Sequence, residues 1–387
     1  MERTKVKNLA KQIRGVSYKP EDLHDSLDED SVILLRANNI DEGKINFDDV
    51  VYVDKSKVSD EQYLKVGDVL ICASSGSKHL VGKAASVDFD SLCTFGAFCK
   101  VVRPNNNVVD YLGKYFQSGV YRKKISEVAI GANINNIRNE HIDSLELPIY
   151  EPAQAQRIVE KIGLLQNIID NRKCELFKLD ELIKARFVEM FGNPRTNPLG
   201  YDLRELGKTC RVITGNTPPR KVSEYYGNYI EWIKTDNIVS GLLNPTEAAE
   251  GLSESGAEEG RIVDTNCILM ACIAGSVASI GRVCVTDRRV AFNQQINAIV
   301  PEKYNTLFLY TLLQISKDYL VEDINMALKG ILSKSKLEEK IFMVPPLELQ
   351  VQFADFVKQV DKSKVAVQKS LEKTQLLFDS LMQKYFG

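Results

Sequence analysis

The sequence predicts an α+β fold: two similar α/β domains separated by two long antiparallel coiled-coil helices, as a pseudo-twofold internal repeat. Two observations carry this. The 387-residue chain is written twice at a period near 200, and each copy closes on a long run of apolar residues at alternating steps of four and three. Arg14-Gly15-Val16-Ser17-Tyr18-Lys19-Pro20 returns as Thr214-Gly215-Asn216-Thr217-Pro218-Pro219-Arg220, and Arg36-Ala37-Asn38-Asn39-Ile40 as Lys234-Thr235-Asp236-Asn237-Ile238. Ser74-Ser75-Gly76-Ser77 with Val81-Gly82-Lys83 returns as Ile273-Ala274-Gly275-Ser276 with Ile280-Gly281-Arg282. The offset runs from 198 to 200 and then 197 at Phe95/Phe292, Pro104/Pro301 and Pro148/Pro345. Solenoid and propeller units are far shorter, so each copy is a whole domain with its own connector.

Taken in order, residues 1–150 form the first domain. Val32–Leu35, Val50–Val53, Val69–Ala73 and Phe98–Val102 read as short strands broken by Gly, Asn, Asp and Ser. Residues 151–192 form the first spacer helix. Pro152 suits a first helical turn, and the seam runs Ile158, Ile162, Leu165, Ile169, Arg172, Leu176, Leu179, Ile183, Arg186, Met190. Forty residues from Pro152 to Phe191 span roughly 60 Å as one helix. Residues 193–203 are a linker, and 204–344 a second domain with strands expected at Tyr229–Ile233, Cys267–Ile273, Val283–Val285 and Ile296–Val300. The second helix, within 345–387, has the seam Val357, Val360, Lys364, Val367, Leu371, Thr374, Phe378, Leu381, Tyr385. Phe191-Gly192 and Phe386-Gly387 repeat even the stop signal, since glycine accepts the left-handed turn that closes a helix. If each domain begins and ends at neighbouring points, the returning helix runs back along the first. The polar seam residues Arg172, Lys364 and Thr374 are candidates to fix its register. Core-facing helices of a bundle are the rival explanation of both seams.

Composition sets bounds on function. Hydrophobic residues make up 44% of the chain, enough for ordinary cores, and no apolar run reaches 18 residues. Met1-Glu2-Arg3-Thr4-Lys5 lacks the apolar stretch of a secretory signal, so the cytoplasm is the expected compartment. Eight cysteines lie without a C-x-x-C pair and there are three histidines, so zinc-ligand spacing is absent and reduced thiols in or near cores are expected. A net charge of −2 argues against holding nucleic acid by bulk electrostatics alone; DNA binding then requires local basic patches or a partner that adds charge.

Catalytic signatures are missing. There is no G-x-x-x-x-G-K-[ST] phosphate loop, no G-x-G-x-x-G turn and no Asn/Asp-Pro-Pro-aromatic motif; Pro218-Pro219 is followed by Arg220 and Pro345-Pro346 by Leu347. The carboxylate clusters Asp48-Asp49 and Asp28-Glu29-Asp30 are candidates for a cation or, more simply, solvated loops.

The motifs Ile13–Asp22, Ile213–Lys221 and Glu231–Ile238, with the Pro-then-Gln helix starts Pro148–Gln156 and Pro345–Gln352, closely resemble the DNA-specificity (S) subunit of type I restriction-modification enzymes. The resemblance spans essentially the whole chain and rests on the order of parts repeated twice. The first helix start departs from the family in lacking its Glu-Gln pair. The resemblance implies two target-recognition domains, each reading one half of a bipartite double-stranded DNA site, with the two helices as a ruler. It implies docking to two methyltransferase (M) subunits that use S-adenosylmethionine and to restriction/motor (R) subunits that use ATP and Mg, with no catalysis, cofactor or metal in this chain itself.

On that reading the DNA-binding candidates are the repeated turns and loops. Ser17, Lys19, Thr214, Asn216, Thr217, Arg220 and Lys221 offer groups for phosphates and base edges. Arg36, Asn38, Lys234, Asp236 and Asn237 follow predicted strands. Ser75, Ser77, Lys78, Lys83, Ser276 and Arg282 sit in Gly-rich loops that permit close backbone approach. Asn293, Gln294 and Gln295 stand where the first copy has Gly96-Ala97-Phe98, and side-chain amides pair bidentately with adenine. Arg122-Lys123-Lys124 and Arg288-Arg289 are candidate phosphate contacts. Two rivals to a targeting subunit remain at this point: an enzyme whose site arose between duplicated domains, and a two-domain adaptor that binds proteins and never touches DNA.

Overall fold

The computed structural model describes residues 2–77, 80–105, 109–128, 135–273, 279–322, 324 and 330–387. The chain divides into two compact units, one of residues 1–171 with 370–387 and one of residues 172–369. The two long helices, Pro152–Phe191 and Leu347–Phe386, are each shared between the units.

Each unit is built on a four-stranded antiparallel sheet of the same plan. In the first, the order is Ala84–Ser86, Val69–Cys72, Cys99–Pro104, Ala10–Arg14; in the second, Val283–Val285, Ile268–Ala271, Ile296–Pro301, Cys210–Thr214. The strands are short and their inner residues almost fully buried, as the Val/Ile/Leu-rich runs require. A second sheet packs beside each. Its centre is repeated, with Cys93–Phe95 parallel to Ser31–Leu35 and Val290–Phe292 parallel to Tyr226–Ile233. Its outer strands differ: Val51–Asp54 and Leu23–His24 in the first unit, Gly251–Leu252 and Ile262–Val263 in the second.

In each unit the chain enters and leaves side by side. Arg3–Lys5 pairs antiparallel with Glu146–Pro148, and Asp202–Glu205 with Ile341–Val344. A long helix follows each closing strand at once. Within the first unit Ile158 and Ile162, near the start of the first helix, share a core with Met382 and Phe386 at the end of the second. Within the second unit Phe187 and Phe191 at the end of the first helix share a core with Phe353 and Val357 near the start of the second. The pairing is therefore antiparallel in both. Each helix stop sits in an aromatic knot: Phe386 against Tyr111 and Tyr115 at 5.0 and 5.8 Å, Phe191 against Phe308 and Phe353 at 4.8 and 5.7 Å. Gly192, at φ +75°, makes the expected left-handed turn.

Every expected seam residue on both helices is buried or half-buried, whereas Leu164, Ile168, Phe177, Leu376 and Leu377, off the seam, are exposed. Of the three polar seam residues, Lys364 reaches across, its Nζ 2.6 Å from Asp180 Oδ1 on the facing helix. Arg172 pairs with Glu175 and Thr374 bonds to the Ser370 carbonyl, each within its own helix.

Candidate nucleic-acid interface

The repeated sequence motifs converge at one end of each β core, and the reason is steric. Gly15 and Gly215 lie so close to the second sheet that a Cβ on either would stand 2.1 Å from a backbone oxygen, of Gly96 and Asn293 respectively. Only glycine fits there. Val16 and Asn216 then donate to the Phe95 and Phe292 carbonyls, which pins the following turn beside the loop after the parallel strand. The Gly-rich loops are closed identically: Gly82 and Gly281, at φ +81° and +76°, donate to the Cys72 and Ala271 carbonyls, 2.8 Å in both cases.

In the first unit this folding makes a cavity of about 740 Å³ lined by Val16, Ser17, Tyr18, Arg36, Ala37, Asn38, Ser74, Ser75, Gly76 and Gly96 to Cys99. Four segments far apart in sequence thus share one concave face. An adjoining cavity adds Arg14, Lys100 and Asn136 to Glu140. These last residues were not among the sequence candidates. Strand pairing of Asn135-Asn136 with Ser74-Ser75 brings them in, a long-range contact with no local signature. Lys100 donates to Asn139 Oδ1, and burial together with nearby Arg14 holds its pKa below the usual lysine value.

Carboxylates brace the cations on this rim. Arg36 Nη2 and Asn38 Nδ2 both donate to Asp49 Oδ2, at 2.9 and 2.8 Å, so Asp49 is engaged as a loop brace. Asp28 likewise bonds His24. In the second unit Lys234 and Arg220 converge on Glu250 at 2.6 and 2.8 Å, and this holds the Glu250 carboxyl below its ordinary pKa. Arg220 also lies over the rings of Tyr226 and Trp232, 4.6 and 4.9 Å from their centroids.

The other candidates separate into rim and scaffold. Ser17, Lys19, Thr214, Arg220, Lys221, Asp236 and Gln294 are exposed; Ser75, Ser77, Lys83, Thr217, Lys234 and Gln295 are half-buried. Thr217 bonds Gln294, Ser75 Oγ accepts from the Ser77 amide, and Lys83 stands 3.6 Å from Asp41. Asn237 is different: it is 8% exposed, accepts from the Lys234 amide and donates to Thr246 and the Glu247 carbonyl. Asn39, its first-copy counterpart, does the same with Arg36, Asn46 and Asp49. Asn293 is also buried, bonded within its own turn to Gln295, and Asn216 is spent on Glu259 and Arg261. These amides hold loops in shape, Asn39, Asn237 and Asn293 from buried positions and Asn216 from a half-buried one. Arg282 bonds the Ser279 carbonyl and lines a separate cleft with Asp180 and Lys364. Arg122 bonds the Val81 carbonyl, and Arg288 pairs with Glu231. Lys78 and Ser276 lie outside the described residues.

Fold and sites together define a class: a duplicated α+β protein that presents one loop-built, cation-rimmed face per copy and carries paired long helices. Comparison with known proteins narrows it. Residues 198–376 match the family model for the type I restriction modification DNA specificity domain. The specificity subunit of the type I restriction enzyme StySPI of Salmonella potsdam is 38% identical over 180 residues, 46% of this chain and 39% of that protein. The EcoKI specificity subunit of Escherichia coli K12 matches with the same identity and coverage, 38% over 180 residues. The MjaIX specificity subunit of Methanocaldococcus jannaschii is 20% identical over 321 residues, 76% of this chain and 72% of the relative. Among solved structures, the type I restriction-modification S subunit from M. genitalium aligns over 100% of this chain and 96% of that one, with a TM-score of 0.57 and 13% identity. At that identity the fold is what is shared. The match to the first two relatives spans 39% of their length. Residues 198–376 are thus similar to the specificity domain of type I restriction-modification systems, as the repeated motifs suggest. Among the described residues, no helix is long and apolar enough to cross a membrane.

Proposed function

We propose that this chain is the DNA-specificity subunit of a type I restriction-modification complex, each unit reading one half of a bipartite double-stranded site. One observation carries the reading: the same loop-built face occurs in both copies on the same scaffold, while the residues at it differ, with exposed Arg14 and Phe98 and half-buried Lys100 in the first unit against exposed Thr214, half-buried Gln295 and buried Asn297 in the second. Shared scaffolds with different rims suit two readers of different sequences. Rim cations and hydroxyls serve phosphates, and exposed side chains beside them serve base edges. With a net charge of −2, the chain alone binds DNA weakly, and partners supply much of the cationic surface. Two methyltransferase subunits would use S-adenosylmethionine, and restriction subunits ATP and Mg; this chain performs no chemistry and works in the cytoplasm. The family match and the curated relatives favour this over an adaptor that binds only proteins.

The test is genome-wide mapping of DNA methylation in cells with and without the chain. A bipartite motif, methylated only when the chain is present, is expected. Methylation unchanged by its deletion sinks the proposal.

A further inference from the structure

Resting on that reading, we propose that Phe98 is a base-reading residue of the first unit, recognising thymine through its 5-methyl group. Phe98 is 71% exposed, yet its backbone is held by hydrogen bonds. Its carbonyl accepts from the Ala73 and Ser74 amides at 2.9 and 3.0 Å, and the next residue, Cys99, donates back to the Gly96 carbonyl at 2.8 Å. The ring is thus held out on a rigid turn. It borders both adjoining cavities of the candidate face, with Val16, Tyr18, Ala37 and Ala97 making its side of the larger one apolar. Arg14, Lys100 and Arg138 line the smaller one, as does Glu140, 3.6 Å from Arg138.

Cations flanking an apolar projection match a duplex, in which phosphates border a groove whose apolar features are thymine methyls. The second copy makes the contrast. Gln295 occupies the same turn, its carbonyl accepting from Cys272 and Ile273 at 2.8 and 3.2 Å, but its side chain is polar and accepts a hydrogen bond from Asn293. Only the first half-site should depend on a methyl group in this way.

The experiment uses the chain assembled with its methyltransferase partners on the bipartite site it methylates, at fixed salt. Deoxyuridine replaces each thymidine of the first half-site in turn, and Kd is measured for the unaltered complex and for Phe98→Ala. For the unaltered complex, loss of the contacted methyl should weaken binding about four-fold. With Phe98→Ala the same DNA change should have no effect, while binding to the thymidine site falls about ten-fold or more and the melting temperature is unchanged. Phe98→Gln should move the preference at that position towards adenine. Deoxyuridine sensitivity that is absent, or that survives in Phe98→Ala, overturns the assignment. So does 2-aminopurine fluorescence showing that the ring unstacks a base step, which makes it a wedge instead. A complex that protects no bipartite sequence at all fails earlier, at the proposed function itself.

Discussion

At the residue scale, identity between the two copies separates scaffold from variable rim. Gly15/Gly215, Asn39/Asn237, Gly82/Gly281 and Phe95/Phe292 are the same in both, and each holds a loop, makes a close backbone approach or fills a core. Their neighbours Asn38/Asp236 and Phe98/Gln295 differ; Asn38, Asp236 and Phe98 are exposed on the rim, and Gln295 is half-buried there. Asn237→Ala should therefore lower stability by about 1–3 kcal/mol, since it removes a buried amide that bonds three part-buried groups, and impair the second half-site. Asp236→Ala should leave the unfolding midpoint in urea unchanged while altering second-half-site affinity. If the two variants unfold at the same urea concentration, the distinction is wrong. Glu250→Gln should release Lys234 and Arg220 and strengthen non-specific DNA binding, with a steeper salt dependence in a titration from low to moderate salt. The Glu250 carboxyl is held below its ordinary value, so its ion pairs persist above the carboxylate range and are lost only as pH falls through its lowered pKa. Much of this face was legible in the sequence because the repeat marks its loops. What escaped was which polar side chains turn inward, as Asn237 and Asn293 do, and which distant residues join, as Arg138 does through strand pairing.

At the scale of elements, the helices were the most legible, since a seam spacing of three and four with a proline start and a Phe-Gly stop leaves little freedom. Eight strand positions followed from short β-branched runs, but Ala10–Arg14, Ala84–Ser86, Cys93–Phe95, Cys210–Thr214 and Val290–Phe292 were not foreseen. Sheet order did not follow, nor did the divergent outer strands, because pairing is decided by partners elsewhere in the chain. Lys364 is the informative seam residue. It neutralises Asp180 beside Asp361, whose pKa is raised above the usual carboxylate value by burial and then by Asp180. A raised carboxylate favours the fold at low pH, and that contribution is lost as pH rises through the folded-state value. Lys364→Met leaves both acids without their cation, so it should cost about 1 kcal/mol at neutral pH and less near pH 4. Urea unfolding at the two pH values checks this; a larger loss at pH 4 contradicts it.

At the scale of the whole molecule, duplication is the organising fact. Each unit has its own cores, its own adjacent entrance and exit strands, and its own loop-built face, so neither depends on the other for the geometry of its site. The most direct measurement replaces residues 204–340 with the corresponding segment of another specificity subunit and maps the methylated sequence in the cell. Independent reading predicts that one half of the bipartite motif changes and the other is kept base for base. A chimera that methylates a motif altered in both halves, or in neither, contradicts the account.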